Sequence, residues 1–463
     1  MTQKMVVSTS STTYEVIYMA QKDFESGSIP SVVIKNSIPA LIAMVMVMVY
    51  NLADTFFIGL THDDLQVAAV SLGTPVFMIF MSLGTLFGVG GGSVISRALG
   101  AGKTDYAKKA CSFCLWASVA IGLLFMIILW AGMDSFSVML GASENTLAYT
   151  KSYLSITVGC GVFSMMTNCL SNIVRTEGEP MKAMTGTLIG NLVNIILDPI
   201  MILGFGWGIT GAAIATVIGN VAGVLYYLFY FWTGKSSLSI KLRDFSMKDG
   251  ILKGVFSVGI SASLANLLSS VSSIITNSQL AKYGDLYVAG FGVTSKVSMI
   301  VLLVGIGIGS GVQPLFGYCF GAKNRDRLVK SLRFSVLFGT VFCLVISILC
   351  FVFAGPIVKV FLTADEAFNA GIHFTRILMC TAWLTGAFVI CQNCLQAMGA
   401  AVPALLASIF RQGIIFIPAL FILQGIMGAD GLIWAQPVAD VLSLFIIIFM
   451  IITKIKKSNF NKE

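Results

Sequence analysis

Asn191-Leu-Val-Asn194-Ile-Ile-Leu-Asp198-Pro199 lies inside a run, 183–205, that is otherwise almost wholly apolar. Asn191, Asn194 and Asp198 are three and four residues apart, which places them on one face of a helix. Pro199 follows directly. A proline inside a helix removes the donor for the carbonyl four residues back, here that of Ile195, and predicts a kink. The stretch thus gathers a carboxylate, two amides and a loosened carbonyl at membrane depth. An ionisable group there is costly and faces a bundle interior or a water-filled cavity. The same three side chains would also serve as a polar clamp between helices.

Composition supports a membrane setting. The 463 residues are 57% hydrophobic and 11% charged, with mean hydropathy +0.90, where a soluble chain carries roughly 25% charged residues. The apolar runs have helical lengths and lack the alternation of a barrel, so the fold class is an all-α polytopic membrane protein. The net charge of +8 collects in loops on one side and needs no nucleic acid to explain it. All ten cysteines fall within or at the ends of apolar runs. Cys111/Cys114 and Cys391/Cys394 have C-x-x-C spacing without a nearby His or further Cys, and read as small buried residues. Residues 1–35 mix Ser, Thr, Lys and Glu without an apolar core, and read as a cytoplasmic lead-in rather than a signal peptide.

Twelve spans are predicted: 36–60, 68–97, 110–132, 152–174, 183–205, 209–233, 254–281, 287–318, 333–354, 372–397, 402–425 and 431–453. With the N-terminus in the cytoplasm, most of the 29 Lys and Arg residues fall in cytoplasmic segments. Only Lys151, Lys282 and Lys359 lie in outer loops, and Lys296, Arg376 and Arg411 lie within spans. This bias follows the positive-inside rule and argues for an even span count. The chain also repeats itself. GVGGGSVISRALGAGKTD at 88–105 is answered by GSGVQPLFGYCFGAKNRD at 309–326, Asn168-Cys169-Leu170 by Asn393-Cys394-Leu395, and the Gly211–Ala215 segment by Gly431–Ala435, with Asn220 in register with Asp440. The expected organisation is two pseudo-symmetric six-helix bundles, 36–233 and 254–453, joined by a linker at 234–253 and followed by a basic tail, 454–463. Halves with even span counts enter from the same side and form parallel repeats, a transporter arrangement. Small residues at four-residue steps, Gly211, Ala215, Gly219 and Gly223, predict a packing seam.

Three acids lie within spans: Asp54, Asp198 and Asp440. Asp54 and Asp198 both sit in the outer halves of outward-running spans, so they share a depth. A low-dielectric cavity and a neighbouring carboxylate both favour the protonated acid, so such a pair loads and releases protons in the physiological range. The same carboxylates suit Na⁺, with an amide oxygen from Asn194 and a hydroxyl from Thr216. Spacing alone does not separate the two ions, and no other cofactor or metal is expected. Asp440 reads as a helix–helix hydrogen bond or a second proton site. Lys296 and Arg411 read as paired or snorkelling cations, or as substrate contacts. His62 and His373 fall near outer loops. Tyr50, Asn51, Met166, Asn191, Lys296, Met299, Trp383 and Arg411 are the candidate lining of a substrate cavity, since Met surfaces and aromatic faces suit lipophilic cations. No Walker A sequence, HExxH or nucleophile elbow is present, so neither ATP drive nor an enzyme activity finds support.

Together these features resemble the multidrug and toxic compound extrusion (MATE) family, most closely its MepA-type and DinF-like branches. The resemblance covers the chain beyond residue 35 or so. It rests on Pro39 with Asn51-Leu-Ala-Asp54-Thr55-Phe-Phe-Ile-Gly59, the segment 90–102, Arg175-Thr-Glu-Gly178 with Pro180, and Asn194-Ile-Ile-Leu-Asp198-Pro199. It implies a cation-coupled antiporter of lipophilic, often cationic compounds in the bacterial cytoplasmic membrane, working as a monomer with both termini in the cytoplasm. In DinF-like members a polar cluster in the N-terminal bundle carries the coupling ion, and it falls here on Asp54, Asn194, Asp198 and Thr216. NorM-like members also use acids in spans seven and ten. Val255 to Ala281 and Leu378 to Leu395 contain none, which moves the expected ion site to the first bundle.

The expected partners are therefore small lipophilic or cationic drugs and the lipid bilayer, exchanged against H⁺ or Na⁺ by alternating access. A flippase for a lipid-linked or anionic lipid would want several cations lining a cavity, and only Lys296, Arg376 and Arg411 are at hand. A passive channel or a receptor would need neither paired carboxylates nor symmetric halves.

Overall fold

The computed structural model describes residues 23–61, 64–140, 144–234, 236–362 and 365–458. His62, Lys235 and residues 1–22 and 459–463 of the expected terminal segments lie outside them. Every regular element among the described residues is helical. The first half comprises α1 (Ile29–Gly59), α2 (Asp64–Gly100), α3 (Thr104–Ala131), the short α4 (Met133–Met139), α5 (Glu144–Gly159), α6 (Gly161–Thr176), α7 (Pro180–Pro199) and α8 (Gly208–Trp232). The second comprises α9 (Ile251–Leu280), α10 (Asp285–Gly321), α11 (Arg325–Val352), the short α12 (Ala354–Lys359), α13 (Asp365–Ala382), α14 (Leu384–Ala397), α15 (Ala401–Ile409), α16 (Phe416–Met427) and α17 (Ala429–Lys457).

Ten helical stretches are long and apolar enough to cross a membrane, and two bent pairs, α5/α6 and α13/α14, complete the set of twelve spans. These pairs replace the unbroken spans expected at 152–174 and 372–397, with bends of 46° and 47°. The first bend falls at Cys160, which leaves helical geometry (φ −119°, ψ 7°) between two glycines. At the second, the Trp383 indole N–H takes the Cys380 carbonyl at 2.9 Å, an acceptor the helix ladder would otherwise use. The two bends sit at equivalent places in the repeat.

A second irregularity also recurs. Directly after Pro199 the chain makes a π-helical turn, Ile200–Gly204, and the corresponding span of the second half makes one at Phe410–Ile414, between α15 and α16. The proline was expected to kink its helix; the wide turn is how the chain absorbs the missing donor. Gly206 and Gly208 then take positive φ (68° and 54°) to turn the chain tightly into α8.

Contacts group the chain into two compact units. One holds the described residues up to Gly27 together with Ile42–Gly259; the other holds Ser28–Leu41 together with Ile260–Glu463. The cuts therefore fall inside α1 and α9 and not at the linker. Within the first unit, α9 lies so close to α2 that a Cβ on Gly259 would stand 2.2 Å from the Leu86 carbonyl oxygen. Within the second, a Cβ on Gly311 of α10 would stand 2.5 Å from the Asn36 carbonyl oxygen. Only glycine permits such backbone approaches. The segment after α8 is strapped to the first unit: Ser112 Oγ donates to the Lys241 carbonyl at 2.7 Å, and Trp116 Nε1 to that of Ile240 at 3.0 Å.

Candidate functional site

The first unit brings α1, α7 and α8 together around a polar centre. Asp198 and Asn194, one turn apart on α7, are 0% and 2% exposed. With the Asn194 amide turned to suit its neighbours, its nitrogen donates to Asp198 Oδ2 at 3.2 Å. Its oxygen accepts from the Thr216 hydroxyl at 3.2 Å and from the Thr216 backbone N–H at 3.1 Å. A carboxylate on one side and donors on the other fix that orientation. Asp54 of α1 lies close enough to Asp198 for their charges to interact, and Tyr50 and Tyr153 lie within reach of both. Asp54 Oδ1 is buried without a hydrogen-bond partner among the described residues, and so is Asn191 Nδ2. The structure brings Asp54, Asn194, Asp198 and Thr216 into one cluster, with Tyr50 beside it.

An apolar layer closes one end of this centre. Ile58, Ala69, Ile202, Ile209 and Ala212 pack together, with Phe57, Val70, Tyr149 and Tyr153 against them. Ile58 and Ile202 stand four residues after Asp54 and Asp198, and Ala212 four residues before Thr216 on α8, which runs the other way. The layer is therefore one helical turn from the carboxylates. Tyr153 belongs to this centre and was not singled out from the sequence. Its only signal there is the Tyr149/Tyr153 pair at one-turn spacing, at the entry to the fourth span.

The other candidate lining residues do not join the cluster. Asn51 is exposed and its amide donates to the Val47 carbonyl of its own helix at 2.7 Å. Met166 is half-buried on α6, while Met299 on α10 is exposed. Lys296 is exposed, its ammonium 5.6 Å from the centre of the Phe361 ring. Trp383 lines a separate cleft with Leu344, Ser347, Ile348, Phe351 and Met379, and the Arg376 guanidinium lies over the Phe351 ring. Arg411 is buried in the second π-helical turn. Its Nε donates to Asp440 Oδ1 at 2.8 Å, its Nη2 to Thr385 Oγ1 at 3.2 Å, and its Cζ lies 4.6 Å from the Phe388 ring centre. Gln436 donates to the same Asp440 oxygen at 2.8 Å. Arg411 is thus an internally paired cation, and Asp440 its counter-ion. His373 Nε2 on α13 and Asp430 Oδ2 at the start of α17 are 3.0 Å apart. The cysteines are unpaired, and both C-x-x-C pairs are buried.

One buried acid lies outside the spans. Glu177, between α6 and α7, is 2% exposed. It accepts from Tyr230 at 3.1 Å, from the Ser236 hydroxyl at 2.7 Å and from the Ser237 backbone N–H. Burial pushes its carboxyl above the usual range, and these hydrogen bonds offset part of the rise.

Residues 39–200 and 262–422 match the MatE family, once in each half. The chain is 32% identical over 417 residues to multidrug export protein MepA of Staphylococcus aureus (strain MSSA476), covering 90% of this chain and 92% of that one. It is 31% identical over 430 residues to the protein of the same description from Staphylococcus haemolyticus (strain JCSC1435), covering 92% and 94%. The crystal structure of MATE in complex with MaL6 superposes with a TM-score of 0.90 at 25% identity, over 94% of this chain and 99% of that one.

Proposed function

The chain belongs to the MatE family, and from that premise we propose that it exports lipophilic, often cationic compounds in exchange for protons. Its place is the bacterial cytoplasmic membrane, with both chain ends in the cytoplasm, as the one-sided distribution of basic residues supports. The observation that carries the reading is the pairing of Asp54 and Asp198. Two carboxylates at one depth, with Asp198 wholly buried and Asp54 Oδ1 unpartnered, are costly when both are charged. Taking up a proton relieves that cost, and losing it restores the cost, so the protonation state biases which conformation is stable.

The proton is the coupling ion this reading takes, because one proton shared by Asp54 and Asp198 is enough to relieve their repulsion; Na⁺ is the alternative that the experiment below separates from it. In the proposed cycle a proton loads Asp54 or Asp198 from the outer side and drug is released there. The transporter then faces inward, gives up the proton and takes a new drug molecule.

The test is ethidium export from vesicles containing the reconstituted chain, with proton and Na⁺ gradients imposed separately. A proton gradient alone should drive export, and Asp54→Asn and Asp198→Asn should each abolish it while the protein still inserts. Full export in both variants removes the site, and export driven only by Na⁺ reassigns the ion.

A further inference from the structure

Beside the bend at Trp383, the second unit holds a cleft of about 180 Å³. Leu344, Ser347, Ile348 and Phe351 of α11 line it on one side, and Met379 and Trp383 on the other. Spans α11 and α13 are joined through α12 and so run in opposite directions. The Arg376 guanidinium lies 5.7 Å from the centre of the Phe351 ring, which sets these two residues at one level. One turn deeper, Ser347 and Ile348 of α11 stand level with Met379, and a further turn brings Leu344 level with Trp383. From Arg376 to Trp383 the cleft runs about 10 Å along α13. With both chain ends in the cytoplasm, as proposed above, Arg376 is at its outer mouth and Trp383 at its inner end.

Arg376 is an unusual residue for this place. The outer segments carry few basic residues, and Arg376 stands about 6 Å inside a span expected to begin at residue 372. A cation there is costly unless it is paired or reaches the membrane surface. Among the described residues no carboxylate pairs with Arg376, and the Phe351 ring is the one contact of its guanidinium. Its surroundings are apolar and outward-facing: Ile348, Phe351 and Val352 are 52%, 40% and 60% exposed.

An unpaired guanidinium among lipid-facing apolar side chains complements an anionic headgroup. Its planar fork of donors fits a phosphate with two parallel hydrogen bonds. A lipophilic cation would be repelled by the same charge. Below the guanidinium the cleft suits hydrocarbon, since an apolar cavity of about 150 Å³ stays dry and takes up a molecule of benzene. One polar group interrupts it. Ser347 is 2% exposed, and its hydroxyl is buried without a partner among the described residues. A donor in that condition gains from an acceptor that enters the cleft.

We infer that this cleft binds an anionic phospholipid of the outer leaflet. Arg376 holds the phosphate, the Ser347 hydroxyl donates to an ester carbonyl, and the start of one acyl chain lies along Ile348 and Met379 toward Trp383. The lipid is held intact, with no bond made or broken. From the proposed function the inference takes only the orientation in the membrane, and it stands apart from the coupling ion.

The experiment uses the full chain in phosphatidylcholine vesicles doped with phosphatidylglycerol that carries a diazirine near the start of one acyl chain. A phosphatidylcholine with the same chain is the comparison, and tagged peptides are mapped by mass spectrometry. Phosphatidylglycerol should tag 344–351 and 379–383 about fivefold more than phosphatidylcholine, the effect of one cation beside an anionic lipid. Arg376→Gln should erase that excess and Arg376→Lys should keep part of it. Unlabelled phosphatidylglycerol should displace the tag from the wild-type chain, and unlabelled phosphatidylcholine should not. Equal tagging or equal displacement by the two lipids overturns the site, without recourse to a variant. An excess that survives in Arg376→Gln overturns the role of the arginine. Stronger tagging of the same segments by a photoreactive ethidium azide assigns the cleft to exported cations instead and overturns the lipid. Loss of export in Asp54→Asn and Asp198→Asn is read separately, so either proposal can fail alone.

Discussion

Arg411 and Asp440 are joined Nε to Oδ1 at 2.8 Å, with both side chains buried in the second unit. Arg411 stands in the span that corresponds to the one carrying Asp198, and Asp440 in the span after it; Asp198 faces an amide and a second carboxylate instead. Removing one partner of a buried pair strands the other charge. Arg411→Met or Asp440→Leu alone should cost on the order of 3–5 kcal/mol, and the double variant markedly less. A double-mutant cycle on the melting temperature of the detergent-purified protein measures it. Additive losses would show that the pair does not act as a unit.

Asn194 holds Asp198 to Thr216, and that link has its own consequence. Asn194→Leu keeps the volume and removes a hydrogen bond to a charged group, an interaction of about 1.5–3 kcal/mol. Proton-driven ethidium export should fall by one to two orders of magnitude, while Asn194→Gln retains part of it. Export at the normal rate in Asn194→Leu would place the amide outside the coupling machinery.

The contact between Gly190 and Gly219 predicts a strict size limit. Alanine at Gly219 would force a Cβ to 2.5 Å from the Gly190 carbonyl oxygen. The helices must separate, at about 1–3 kcal/mol for such overpacking. Gly425, with nothing within 4 Å of its Cβ position, is the control. Gly219→Ala should lower the melting temperature and export together, and Gly425→Ala should change neither.

Glu177 gives a stability that depends on pH. Burial raises its carboxyl above the unfolded value, so the folded chain binds the proton more tightly than the unfolded one. Its contribution is fully present below the ordinary carboxylate range and is lost as pH rises through the raised folded value. Glu177→Gln, which stays neutral and keeps an acceptor for Tyr230, Ser236 or Ser237, should flatten that slope. Melting temperature against pH for both proteins decides it, and identical slopes would show that Glu177 is ionised at no cost.

The twelve spans were legible because hydropathy and basic loops report on them locally, and helical spacing put Asn194 and Asp198 on one face; that Asp54 and Thr216 join them came from the family resemblance. The bends at Cys160 and Trp383 and the two π-helical turns were not legible. They depend on which acceptor a backbone group finds, as when the Trp383 indole takes the Cys380 carbonyl. Span membership also says nothing of side-chain direction. Lys296 and Trp383, expected from their spans among the residues lining a substrate cavity, lie against Phe361 and in the Phe351 cleft. Glu177 was visible in Arg175-Thr-Glu-Gly178, but its burial comes from Tyr230 and Ser236, more than fifty residues away in sequence.

The layer of Ile58, Ala69, Ile202, Ile209 and Ala212 has an electrical side. A layer of low polarity is where a voltage across the bilayer falls most steeply, because little within it can reorient to screen the field. An elementary charge moved through 100 mV exchanges about 2.3 kcal/mol. Protons reaching Asp54 and Asp198 past that layer would cross part of the membrane voltage, so the occupancy of the two carboxylates would respond to voltage as well as to acidity.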